Sequence, residues 1–231
     1  MAVAGIQWTG LVMQVRDRLR EDIAHGRLVT DRIYSVAEIA ASVGVSRTPV
    51  REALLQLEES GLIRFHRNRG FSVITVSQSD LAEIFQLRLA LEVPATRRVA
   101  RHPPDGLVEA MHELLGDMRE AGAKDDRDGF MKADRRFHEQ ILTSIGNVRL
   151  TRAVNGARDA IFSRGLSTEA PDRTWHDLVV EHEAVLDAIR EKRPVAAGAA
   201  MAAHLVNTGT ALLSLSPGAA GTDGWAEDFC L

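Results

Sequence analysis

Asp134 and His138 stand four residues apart among Phe130, Phe137, Ile141 and Ile145. On a helix that spacing turns both toward one otherwise apolar face, roughly 40° apart around the axis. His182 falls in the stripe Trp175, Leu178, Val179, Leu186 and Ile189, and His204 lines up with Met201, Thr208, Ala211 and Leu212. Three helices would therefore each aim an imidazole or a carboxylate into a core. Burying these groups without partners costs several kcal/mol, whereas one divalent cation satisfies all four. Taken singly, each histidine reads as a core imidazole bonded to backbone; taken together, Asp134, His138, His182 and His204 read as a metal site. One carboxylate with three imidazoles suits Zn²⁺, Ni²⁺, Mn²⁺ or Fe²⁺, and the residue types do not choose among them. Arg88 and Glu92 lie four apart on the stripe Leu81, Ile84, Phe85 and Ala95. They read either as a buried ion pair or as an Arg88 fork offered to a carboxylate ligand beside the metal. Arg158 is a weaker candidate for that role. The remaining histidines, His25, His66, His102, His112 and His176, lie off these stripes and are expected at the surface.

A second set of residues has the chemistry of nucleic-acid binding. In Ser46-Arg47-Thr48-Pro49-Val50-Arg51-Glu52-Ala53-Leu54, Ser46 is placed to cap a helix and Pro49 is tolerated in its first turn. Ala53, Leu54 and Leu57 face inward, which leaves Arg47, Thr48 and Arg51 at the helix start, where a helix in a major groove meets bases and phosphates. The elements that must hold this helix are also legible. Leu11, Val15, Leu19 and Ile23 recur at helical spacing up to Gly26. Ser35 is placed to cap Val36 to Ser42, with Glu38 completing a capping box, and Gly44 turns the chain into the next helix. Leu62 to His66 and Phe71 to Val76 read as a hairpin whose tip is Arg67-Asn68-Arg69-Gly70.

From Gly44 to Leu62, with the Asn68-Arg69-Gly70 tip, the chain resembles the winged helix-turn-helix domain of GntR-family bacterial transcription regulators. The resemblance implies that Arg47, Thr48 and Arg51 contact double-stranded DNA, with Arg69 and Gly70 at the wing. Ala37 stands where some members place a DNA-contacting arginine. The motif Asp134-x-x-Phe137-His138, then Glu181-His182-Glu183, then His204-Leu205, is similar to the FCD ligand-binding domain that accompanies many of these regulators. Six bundle helices rather than seven resemble the VanR-like branch of the FadR subfamily. This implies a homodimer on a short palindromic operator, more often a repressor than an activator, and a small organic acid bound over the metal by Arg88.

After Val76 the β-prone residues give way to six amphipathic segments, near 78–101, 104–121, 126–145, 147–164, 172–192 and 195–214. They are separated at Pro103-Pro104, Gly122, Gly146-Asn147, Gly165 to Pro171 and Pro194. The expected fold is thus mainly α: a winged helix-turn-helix over 8–76, an all-α six-helix bundle for metal, effector and dimerisation over 77–215, and a Gly/Ala/Ser-rich tail over 216–231 that does not fold with it. The chain has 231 residues, 45% hydrophobic and 26% charged, enough for two ordinary domains. Its net charge of −4 conceals a split: residues 1–76 carry 10 Lys+Arg against 8 Asp+Glu, and the other 155 carry 18 against 24. The footprint for DNA is therefore local, on Arg47, Arg51, Arg67 and Arg69, and salt-sensitive. No uninterrupted apolar run resembles a membrane span or a signal peptide, so a cytoplasmic protein is expected. The single Cys230 cannot form an intramolecular disulfide. The competing reading is a metal-dependent hydrolase-like enzyme, since open coordination positions on such a site activate water. Against it, Glu181 and Glu183 flank His182 but are expected on other helix faces, leaving no evident general base.

Overall fold

The computed structural model describes residues 8–24, 26–30, 32–74, 78–162, 173–214 and 224–226. His25, the expected break over 165–171, the end of the second hairpin strand at 75–76 and most of the tail, including Phe229 and Cys230, lie outside them. Contacts divide the chain into two compact units, one of Met1–Ser77 with Asn155–Leu166, the other of Gln78–Val154 with Ser167–Leu231.

In the first unit, α1 (Trp8–Ala24) buries Val12, Val15, Leu19 and Ile23 against α3 (Arg47–Glu59). Gly26 closes α1 with φ 67°, a left-handed conformation suited to glycine. Ser35 caps α2 (Val36–Val43) by accepting from the Glu38 backbone N–H at 3.0 Å. The capping box is only half made, because the Glu38 carboxylate pairs with Arg32. Ser46 occupies the N-cap of α3 in extended conformation but makes no side-chain cap bond. Pro49, Val50, Ala53, Leu54 and Leu57 form the inward stripe of α3. The hairpin is β2 (Ile63–His66) and β3 (Gly70–Val73). A strand not anticipated from the residues, β1 (Ile33–Tyr34), pairs antiparallel with β3, giving the order β1-β3-β2. Tyr34 stacks on Phe71 with ring centroids 5.7 Å apart. Gly70 makes this third strand possible: it has φ 118°, and a Cβ there would collide with the Tyr34 carbonyl. Gly70→Ala is therefore expected to cost about 1–3 kcal/mol, read as a lower urea midpoint at unchanged m.

The bundle helices are α4 (Gln78–Arg101), α5 (Leu107–Ala123), α6 (Arg127–Ser144), α7 (Val148–Phe162), α8 (Trp175–Arg190) and α9 (Pro194–Ser214). The second half of α7 counts with the first unit, where Asp159 pairs with Arg20 of α1. In the second unit α4 packs on α9, α5 on α6 and α8, and α8 on α9. Gly122 does not end its helix as expected. It lies inside α5, where a Cβ would come 2.9 Å from the Trp175 Cβ, so its role is close helix approach. The turn comes later, at Asp125 with φ 53°, and Asp126 caps α6 by accepting from the Gly129 N–H at 3.0 Å. α9 corrects the reading of apolar runs: at 21 residues it is long and apolar enough to cross a membrane. Yet it packs on α4 and α8 and buries His204 and Thr208 on that face, as a core helix does.

The tail also departs from expectation at Gly224–Ala226. Trp225 packs edge-on against Phe85 with centroids 5.9 Å apart, its carbonyl accepts from Gln86 Nε2 at 2.8 Å, and its Nε1 donates to Thr210 Oγ1 at 3.3 Å. Gly209 provides the space, since a Cβ there would fall 2.6 Å from the indole. Trp225→Ala should lower the stability of this unit by about 1–2 kcal/mol in urea unfolding followed by circular dichroism.

Candidate metal centre and nucleic-acid interface

α6 carries Asp134 and His138, α8 carries His182 and α9 carries His204; all four are buried, and one ligand atom from each lies within 4.8 Å of the others. Metal bonds near 2.1 Å place ligand atoms at most about 4.2 Å apart, so closing on a cation needs movements of only a few tenths of an ångström. Asp134 Oδ1 is 3.1 Å from His182 Nε2 and 3.9 Å from His138 Nε2. The imidazoles cluster tightly, with His182 and His204 centroids 4.3 Å apart and His138 and His204 5.2 Å.

The outward-facing nitrogens decide which way the lone pairs point. His182 Nδ1 donates to the Leu178 carbonyl at 2.7 Å, which accepts only, so its second nitrogen faces the cluster. That Nε2 is buried and makes no hydrogen bond although a carboxylate oxygen lies 3.1 Å away. Two electron-rich atoms held that close need a proton or a cation between them. His138 Nδ1 contacts Glu92 Oε2 at 2.5 Å and His204 Nδ1 contacts Glu181 Oε2 at 2.9 Å. All three Nε2 atoms thus converge, each histidine fixed from behind as metal-binding imidazoles are. Burial, with His182 and His138 nearby, depresses His204 to about 3 despite Glu181, so it is neutral at physiological pH, the form that binds metal. Glu181 stays ionised: burial opposes this, but His204, Arg173 and Asn207 hold it at about 2. The donor set, its orientation and the neutral form of His204 fit a divalent cation.

The histidine contacts of two carboxylates were not legible in the sequence. Glu181 was expected on another face; it instead reaches His204, Arg173 and Asn207. Its neighbour Glu183 does turn away, to Arg119. Glu92 is paired with Arg88 as the spacing suggests, Arg88 Nε donating to Oε1 at 2.6 Å, but its other oxygen holds His138. Arg88 is buried, and its guanidinium also lies over the Phe85 ring, 5.2 Å from the centroid. Arg158 is buried too, in the stretch of α7 that counts with the first unit. His102, His112 and His176 are exposed as expected; His66 is half-buried and bonds Ser72 Oγ at 2.8 Å.

In the first unit, Arg47, Thr48 and Arg51 are all exposed in the first turns of α3, Arg47 and Arg51 one turn apart. Arg67, Asn68 and Arg69 are exposed at the hairpin tip, where Asn68 has φ 57°. A helix face with two guanidiniums and a basic tip at the end of a rigid hairpin are the parts of a duplex-reading module.

Residues 11–73 match the family model of bacterial regulatory proteins, gntR family, and residues 83–207 match the FCD domain. The chain is 32% identical over 199 residues to the probable D-xylose utilization operon transcriptional repressor of Paenarthrobacter nicotinovorans, covering 85% of this chain and 86% of that one. This protein belongs to the GntR family. It is a GntR/FCD transcriptional regulator, not an enzyme, and the hydrolase reading falls. The GntR protein is also 29% identical over 185 residues to the gluconate operon transcriptional repressor of Bacillus subtilis (strain 168), with 78% and 76% of the two chains covered. The fold is that of Escherichia coli McbR/YncC, with a TM-score of 0.71 at 22% identity over 88% of this chain and 97% of that one.

Proposed function

We propose that this GntR/FCD regulator represses transcription from the cytoplasm as a homodimer on a palindromic operator, and that a small carboxylate bound in the FCD domain modulates its grip. Arg47, Thr48 and Arg51 read each half-site in the major groove, while Arg69 and Gly70 bring the wing to the backbone. Asp134, His138, His182 and His204 hold a divalent metal, and Arg88 takes the carboxylate of the effector beside it. When bound, the cation supplies open coordination positions for an oxygen ligand. The observation that carries this reading is the gathering of buried Asp134, His138, His182 and His204, with one ligand atom from each within 4.8 Å of the others. The effector acts by preferring one arrangement of the dimer; equal affinity for both would shift nothing.

The gluconate operon repressor among the relatives points to hydroxy-carboxylates. Such ligands offer a carboxylate to Arg88 and a hydroxyl to the metal. Thermal-shift screening of metal-loaded protein against gluconate, xylonate and related acids should find one that raises the melting temperature and changes operator affinity. Stabilisation that survives metal removal would place the ligand elsewhere and sink this assignment.

A further inference from the structure

We infer that Glu92 is a positioning residue that couples the Arg88 site to the metal site, so that occupancy of one changes affinity at the other. This rests on the metal and effector reading above. Glu92 is 1% exposed, and its two oxygens serve different masters: Oε1 takes Arg88 Nε at 2.6 Å, and Oε2 takes His138 Nδ1 at 2.5 Å. The backings of the other two imidazoles differ. His182 leans on the Leu178 carbonyl, a neutral acceptor. His204 leans on Glu181, which is only half-buried and is shared with Arg173 and Asn207. Glu92 alone among these acceptors joins a ligand imidazole to the arginine proposed to take the effector.

The consequence follows from charge sharing. While Arg88 is bound to Glu92, part of the carboxylate's charge is neutralised and its pull on the His138 Nδ1 proton is weaker. An anion that draws the guanidinium toward itself frees Glu92 to accept more strongly from Nδ1–H, which makes His138 Nε2 a better donor to a cation. The effect is reciprocal: metal on Nε2 acidifies Nδ1–H, strengthens its bond to Glu92 and loosens Arg88 for an anion. No additional moving part is needed, since α4 already supplies both Arg88 and Glu92 one turn apart.

Co²⁺ titration of the full-length protein, followed by visible absorption, tests this with the metal alone. Glu92→Gln should weaken Co²⁺ binding about 10–100-fold and alter the absorption bands while leaving the far-ultraviolet circular dichroism unchanged. Arg88→Gln should tighten Co²⁺ binding several-fold with Glu92 present, and change it by less than twofold in the Glu92→Gln background. A charge acting through space alone would tighten both backgrounds equally, and that result overturns the inference. So does a Glu92→Gln protein that binds Co²⁺ within twofold of wild type while His182→Ala does not bind, an outcome that leaves the metal site standing. Wild-type protein that takes up no Co²⁺ overturns both readings. Should Glu92→Gln fail to fold, Glu92→Met supplies the second background: a change of less than twofold on adding Arg88→Gln there supports the coupling, several-fold tightening there refutes it, and unchanged binding of Arg88→Gln with Glu92 present refutes it as well.

Discussion

Arg51→Ala is expected to abolish selective binding to the operator while leaving fold and metal content intact. A well-placed arginine contact to a base edge contributes about 1–3 kcal/mol of discrimination, and a twofold-symmetric complex loses it in both half-sites. The combined loss is about 2–6 kcal/mol, or roughly 30-fold to more than 10⁴-fold in affinity. Arg51 is exposed on α3 and its removal uncovers no core residue, since the buried stripe is made by Val50, Ala53, Leu54 and Leu57. Thermal stability should therefore stay within about 0.5 kcal/mol of wild type. Fluorescence anisotropy with the operator selected from a random duplex pool, compared with scrambled duplex at one salt concentration, measures the selectivity. Arg69→Ala is the informative companion. A wing arginine on phosphate should weaken both duplexes alike and reduce the dependence of affinity on salt. Equal loss on both duplexes for Arg51→Ala would move Arg51 from base reading to backbone contact.

How much of this was legible depends on whether a residue's role is set within its own helix or between helices. The Asp134/His138 pair showed because four-residue spacing and flanking phenylalanines fix a face, and His182 and His204 showed because each interrupts an apolar stripe. Position along the chain carries no mark of the acceptors behind them. Glu92 meets His138 across 46 residues, and Glu181 meets His204 across 23, through the α4–α6 and α8–α9 packings. Glu181 stands beside His182 in sequence, about 100° around the helix, which is why it read as facing away; it is the approach of α9 that brings His204 to it. The recognition helix and hairpin were legible for the first reason, local capping and alternation. β1 was not, because two residues are too few to show a period of two; its pairing with β3, which the Gly70 conformation permits and the Tyr34–Phe71 stack supports, defines it. Trp225 was hidden for another reason. Gly/Ala/Ser-rich surroundings read as unfolded chain, and its berth exists only because Gly209, on a distant helix turn, lacks a side chain.

Adding Ni²⁺ or Zn²⁺ to metal-free protein should raise its melting temperature, chelator should reverse the rise, and His182→Ala should abolish it. At a free concentration 100 times the dissociation constant, binding to the folded form alone adds about 2.7 kcal/mol, roughly 5–10 °C for a unit of this size. The variant isolates the site because His182 does two things: its Nδ1 satisfies the Leu178 carbonyl, and its Nε2 confronts Asp134 at 3.1 Å. Truncation removes a hydrogen bond and buried volume, which destabilises, but also relieves that confrontation, which offsets part of the loss in the metal-free state. The diagnostic quantity is therefore the difference between loaded and metal-free protein for each variant. Asp134→Asn provides the matched control: it keeps the volume, relieves the same opposition of lone pairs and weakens the donor set, so metal-free stability should hold or rise while the metal-induced shift shrinks. If Asp134→Asn and His182→Ala both retain the full shift, the ion that stabilises the protein sits at some other site, and the convergence of these imidazoles serves packing alone.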